Sequence, residues 1–235
     1  TVTKGPRRPC RRAGGPRPPR RPRRDTARLT RVDGGTFHVK QELSPGLRRY
    51  AQLVTNGPHG LLSTNDLARI DEHIADALVG LGELEGATSL VDVGTGGGVP
   101  GLLLAILRPD LTIHLCDSVQ KKAKVVETIA RDLHLKVLVF PTRAEEQSKE
   151  TRYDAVSSRA VGPLDKILTW FRPHWAYIGR LLLIKGPKWT EEHNEAKRLG
   201  LMKKLELRVA SEYPLSGTDS KSVILKIWHQ GAREK

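Results

Sequence analysis

The sequence predicts an α/β protein: a mostly parallel seven-stranded sheet, a C-terminal antiparallel hairpin and a small N-terminal helical cap. Three observations carry that expectation. From residue 88 onward, short apolar runs alternate with amphipathic segments, the pattern of parallel strands joined by right-handed helical crossovers. The first of these runs leads into five glycines within VDVGTGGGVPG (91–101), and an apolar helix opens behind them. The last two runs, 205–213 and 222–228, have no helix between them and so pair antiparallel.

The elements follow in order. Residues 1–24 hold nine Arg, one Lys, six Pro, three Gly and no acid or aromatic. Such a segment buries too little apolar surface to order itself, so 1–30 is expected to be a disordered basic tail. It carries +10 of the chain's net +14, which leaves the remainder only mildly basic. A tail of this kind suits RNA or another polyanion. The chain starts at Thr1, so its natural start is expected upstream. Residues 31–86 are expected to form the helical cap. Within them TNDLARIDEHIADALVGL (64–81) places apolar residues at 67, 70, 74, 77, 78 and 81, close to the helical period. Thr64 or Asn65 suits its N-cap.

The main domain is expected over 87–230. Strands are predicted at 88–93, 111–117, 136–140, 153–158 and 180–186, before the final pair. Helices are predicted at 100–109, 119–135 and 190–199, and 164–175 begins as a helix. Two cysteines, Cys10 and Cys116, make neither a disulfide framework nor a zinc quartet, and no metal site is expected. No run reaches the roughly 20 apolar residues of a membrane span, and no signal-peptide core is present. A cytoplasmic location is therefore expected. The Arg-rich, acid-poor start makes an organelle matrix or stroma the alternative.

The glycine loop lies between a strand and a helix, where backbone N–H groups and a helix N-terminus meet a ligand. A dinucleotide frame fits Gly96, Gly98 and Gly101, with Asp117 placed for a ribose. The natural first turn, however, is Gly94-Thr95-Gly96, directly after Asp92. That carboxylate would repel a pyrophosphate and attract the cationic methionine end of S-adenosylmethionine. The Walker pattern is absent. Asp117 suits the two ribose hydroxyls of a nucleoside, or alternatively a cap for the helix that starts near Val119. Arg159 suits a phosphate or a carboxylate, or alternatively an ion pair with Asp92 or Asp154. Lys185 and Lys188 suit RNA phosphates or open solvent. His73 and Asp76 stand about one helical turn apart and suit a polar pair.

The run VDVGTGGGVPGLLLAILRPD (91–110) resembles the glycine motif of the RsmG (GidB) small-subunit ribosomal RNA methyltransferases. The likeness continues through LCDSVQKKAKVVETIARDL (115–133), TRAEE (142–146), DAVSSRAVGPL (154–164) and RLLLIKG (180–186), and it spans about residues 60–228. It implies a Rossmann-like class I fold that uses S-adenosylmethionine. The implied reaction is methylation of N7 of a guanine in the decoding region of small-subunit rRNA. The partner is then that rRNA or a 30S-type subunit, with no membrane and with a monomeric enzyme. The likeness further implies a donor site of Asp92, Gly94, Gly96, Gly98, Val99, Asp117, Ala144, Glu145 and Arg159. Gly94 and Val99 would line the methionine and ribose, Ala144 and Glu145 the adenine, and Arg159 the methyl donor and incoming base. His73 and Lys185 are candidate substrate contacts. The chain departs from the family in its N-terminal helices. It lacks the Trp-Asn pair, and Glu72-His73-Ile74-Ala75-Asp76-Ala77 keeps only the His and Asp of the family's Arg-His-x-x-Asp-Ser. The alternative function is a non-enzymatic rRNA-binding assembly factor or ribosomal protein on the same fold.

Overall fold

The computed structural model describes residues 44–56, 70, 73, 74, 77, 80–143, 146, 151–214 and 220–231. The basic tail, the Thr64/Asn65 cap, Asp76, Ala144 and Glu145 lie outside the described residues.

Seven strands form one sheet: β1 (Ser89–Val93), β2 (Thr112–Cys116), β3 (Val137–Phe140), β4 (Tyr153–Arg159), β5 (Ile178–Lys185), β6 (Leu205–Pro214) and β7 (Lys221–His229). Their order is β3-β2-β1-β4-β5-β7-β6. Strands β1 to β5 pair in parallel. Strand β7 runs antiparallel to both of its neighbours, which gives the expected hairpin. The helices are α1 (Pro45–Asn56), α2 (Gly101–Leu107), α3 (Gln120–Asp132), α4 (Leu164–Phe171) and α5 (Trp189–Arg198). Between α1 and β1, the described residues Ile70, His73, Ile74, Ala77 and Gly80 are helical. The segment 164–175 begins as a helix, as expected. Helix α4 ends at Phe171 and a 3-10 turn, Arg172–Tyr177, follows. Pro173 has no N–H to continue the helical ladder.

The period of two in β1 sends Leu90 to one face of the sheet and Val91 and Val93 to the other. Both faces are covered, so the strand reads as an apolar run rather than an alternation. On one side Leu47, Tyr50 and Val54 of α1, together with Ile74 and Ala77, share a core with Leu90, Leu102, Leu103, Ile113 and Val126. On the other side Leu164, Ile167, Leu168 and Phe171 of α4 and Ala196 of α5 pack against Val91, Val156, Leu225 and Ile227. The N-terminal helices thus share the sheet's core. Each fully buried Leu or Phe contributes about 1.5–3 kcal/mol. Among the described residues, no helix is long and apolar enough to cross a membrane, and no cluster of three or more His, Cys, Asp or Glu is placed to hold a metal.

Candidate functional site

The parallel register brings the chemistry to one level. Val93 pairs with Cys116 on β2 and with Ser158 on β4, and Cys116 pairs with Phe140 on β3. The next residue on each strand is Gly94, Asp117, Arg159 and Pro141, at the carboxyl edge of the sheet. Strand order reverses between β1 and β4, so the glycine loop stands at the switch point where ligands of open α/β sheets bind.

Three turns of left-handed backbone shape the loop: φ is 64° at Gly94, 55° at Gly96 and 87° at Gly98. A side chain at Gly94 would also run into Val161, which follows β4. Gly101, at the start of α2, lies against Leu115 and Asp92 so closely that a Cβ would collide with both. The loop is tied down on several sides. Thr95 N donates to Cys116 O at 3.1 Å, and Gly98 N and Val99 N donate to Thr95 O at 2.7 and 3.1 Å. From α1, the buried Tyr50 hydroxyl donates to Gly97 O at 2.9 Å. Burial pushes that hydroxyl's pKa well above its usual range, so it remains a donor. No sequence pattern singled out Tyr50.

Asp92 is fully buried beneath the loop. Its Oδ2 accepts Gly101 N at 3.1 Å and its Oδ1 accepts the Ser157 hydroxyl at 2.7 Å. Burial raises its pKa from 3.8 to about 6, against the pull of the Thr95, Ser157 and Gly101 donors and the Arg159 charge. The Thr95 hydroxyl is close enough to favour the ionised form but is not aligned for a hydrogen bond; its Oγ1 is buried without a partner. Ser158 Oγ, just before Arg159, is likewise buried and unpartnered.

Asp117 is buried as well. Its Oδ1 accepts Val119 N at 2.9 Å at the entrance to α3, and its Oδ2 accepts Gly96 N at 3.0 Å. The helix-entry role left open by the sequence is therefore present, and a carboxylate keeps further lone pairs for a ribose. Val99 points into the core under the loop. Arg159 is half-buried, and its Nη1 donates to His73 Nδ1 at 3.1 Å. His73 Nδ1 is thus the accepting nitrogen. Asp154, one candidate partner of Arg159, is occupied elsewhere: its Oδ2 accepts Thr88 N, Thr88 Oγ1 and Ser89 N at 2.8, 2.8 and 3.1 Å. Asp92 and Arg159 interact through charge.

Lys185 differs most from a free phosphate-binding lysine. Its Nζ is buried, 2.6 Å from Glu192 Oε2, and donates to Gly162 O at 2.8 Å. The sequence hid this because Gly162 is 23 residues back and Glu192 lies across a turn on another helix.

Residues 44–215 match the family described as rRNA small subunit methyltransferase G. A relative from Rhodopirellula baltica named ribosomal RNA small subunit methyltransferase G is 41% identical over 175 residues, covering 74% of each chain. A relative of the same name from Thermotoga neapolitana is 35% identical over 181 residues, covering 75% of this chain and 79% of its own. Among solved structures, magnesium protoporphyrin IX methyltransferase from Synechocystis PCC 6803 with bound SAM superposes with a TM-score of 0.54 at 16% identity. That match covers 79% of this chain and 92% of the other, and it bears on the fold. The sheet order, the glycine loop at its switch point and the match across most of the described chain lead to one conclusion: the protein belongs to the rRNA small subunit methyltransferase G family.

Proposed function

We propose that this protein transfers the methyl group of S-adenosylmethionine to N7 of a guanine in the decoding region of small-subunit rRNA, acting on the rRNA or a 30S-type subunit. The observation that carries the reading is the level arrangement of Gly94, Asp117 and Arg159 at the carboxyl edge of β1, β2 and β4. The residues suit the donor. The loop offers backbone groups in left-handed turns, and the buried Thr95 and Ser158 hydroxyls have no partner of their own. Gly94, Gly96 and Gly98 would form the cradle and Asp117 would accept from the ribose, with Ala144 and Glu145, which lie outside the described residues, as the adenine candidates.

Bound S-adenosylmethionine supplies an activated methyl on a sulfonium. Guanine N7 has an exposed lone pair and no proton to lose, so no general base is needed. The chain's task is alignment at near-attack distance. Arg159 orients the base through its O6 edge or a neighbouring phosphate. A cytoplasmic location and a monomeric state fit this work. In an assay with the purified protein, labelled donor and small subunits from a strain lacking the modification, label should appear at a single guanine N7. Failure of transfer to both bare rRNA and assembled subunits sinks the reading.

Asp92 acts from beneath the cradle by its field. At pH 7 a carboxyl with a pKa of about 6 is mostly ionised. Because the folded pKa is raised above the unfolded one, the protonated form is favoured in the native state. That contribution is present below about pH 4 and is lost as the pH rises to about 6, on the order of 3 kcal/mol for a shift of this size. Asp92→Asn keeps an acceptor for Gly101 N and removes the charge. In denaturant unfolding, its stability relative to the parent should rise across that window and hold level above it. Its affinity for S-adenosylmethionine should fall roughly tenfold, with S-adenosylhomocysteine, which lacks the positive sulfur, changing far less. Equal losses for the two ligands remove the electrostatic role.

A further inference from the structure

The loop after β4 is held from its far side by an ion pair between a buried lysine and a half-buried glutamate, neither of them among the cradle residues. Lys185, at the end of β5, reaches Glu192 of α5 at 2.6 Å and Gly162 O at 2.8 Å. The same Glu192 Oε2 accepts Leu164 N at 2.9 Å. Leu164 is the first residue of α4, and that helix has no side-chain cap of its own. Glu192 therefore satisfies one of its orphan N–H groups from a different helix and adds a negative charge where the helix dipole favours it. The segment between these anchors is short. It begins at Arg159, passes through Ala160 in a left-handed conformation (φ 55°) and carries Val161 against Gly94.

A non-glycine residue at positive φ costs energy and persists only where its surroundings enforce it. Lys185 and Glu192 bond Gly162 and Leu164, the residues on either side of Pro163, two to four positions beyond Ala160. A buried ion pair adds little to stability compared with an apolar replacement, yet removing one partner leaves an uncompensated charge and releases what it held.

We propose that Lys185 and Glu192 are positioning residues for the methyl-donor pocket: their ion pair fixes the 160–163 loop so that Val161 walls the cradle at Gly94 and Arg159 stays on His73. This rests on the proposal that the cradle takes S-adenosylmethionine. It assigns Lys185 to the pocket's frame and removes it from the set of rRNA phosphate contacts.

The test uses Glu192→Gln, which keeps an acceptor for Leu164 N but drops the charge, together with Lys185→Met and Lys185→Arg. Calorimetry with S-adenosylmethionine and hydrogen exchange of a peptide covering 160–171 are read on the full chain. Glu192→Gln and Lys185→Met should bind the donor roughly tenfold more weakly, raise KM for the donor more than they lower kcat, and exchange Leu164 faster, and Lys185→Arg should restore all three. Should Lys185→Met not fold, Glu192→Gln carries the test. A parent that binds the donor beside variants that bind it within about twofold overturns the positioning role alone. A parent that does not bind the donor overturns the functional reading and this proposal with it.

Discussion

Gly94→Ala is expected to weaken S-adenosylmethionine binding by about a hundredfold or more. Two costs combine at this position. Its φ of 64° is a conformation that costs a residue with a Cβ about 1–2 kcal/mol. The new methyl would also enter the space of Val161, so the 160–163 loop must move off the cradle. Together these exceed the roughly 2.7 kcal/mol that a hundredfold change in affinity represents. Calorimetry of the folded variant against the parent measures the effect, with thermal unfolding as the control for global damage. A well-folded Gly94→Ala protein with donor affinity within about threefold of the parent would show that Gly94 is no part of the cradle.

Arg159→Ala is expected to lower methyl transfer on the order of a hundredfold or more, as when a single preorganised donor is removed from a reacting centre. The guanidinium stands at the carboxyl end of β4, half-buried, hydrogen-bonded to His73 and in electrostatic contact with Asp92. A positive charge there does nothing for a ring that becomes cationic on methylation, so the role we propose for it is geometric, as a two-pronged donor for O6 or a phosphate. Arg159→Lys should recover only part of the loss, because an ammonium keeps the charge but not the fork. Single-turnover methyl transfer with saturating donor separates this from donor binding. Unchanged turnover in Arg159→Ala removes the residue from the reaction.

Much of the architecture was readable from local pattern. β1, β2, β4 and β5 are apolar runs of strand length, each followed by a turn, and a sheet buried on both faces has that appearance. The hairpin followed from two runs with no helix between them. The end of α4 was not legible from apolar spacing, which continues past Phe171; the missing N–H of Pro173 ends the ladder there. The site was readable in part. Glycines at 94, 96 and 98 announce themselves because left-handed turns select them. The burial of Asp92 was not read from the sequence. Its alternation with Val91 and Val93 already implied a side chain under α2, but the adjacent glycines drew it toward the ligand. Tyr50 and Ser157 gave no signal, since each acts through a partner 47 or more residues away.

Periodicity and turn chemistry are properties of neighbouring residues, and so the order of strands and helices, the glycine turn between β1 and α2, and the family itself were settled by the chain's own letters. Which way a charged side chain faces and what it meets there were decided only when distant segments packed. Whether a carboxylate or an ammonium meets water, a ligand or a buried counter-charge depends on what the fold brings against it. Asp92, Asp117 and Lys185 could therefore be found in the sequence, but the sheet and its helices determined that all three are buried against groups of the chain itself.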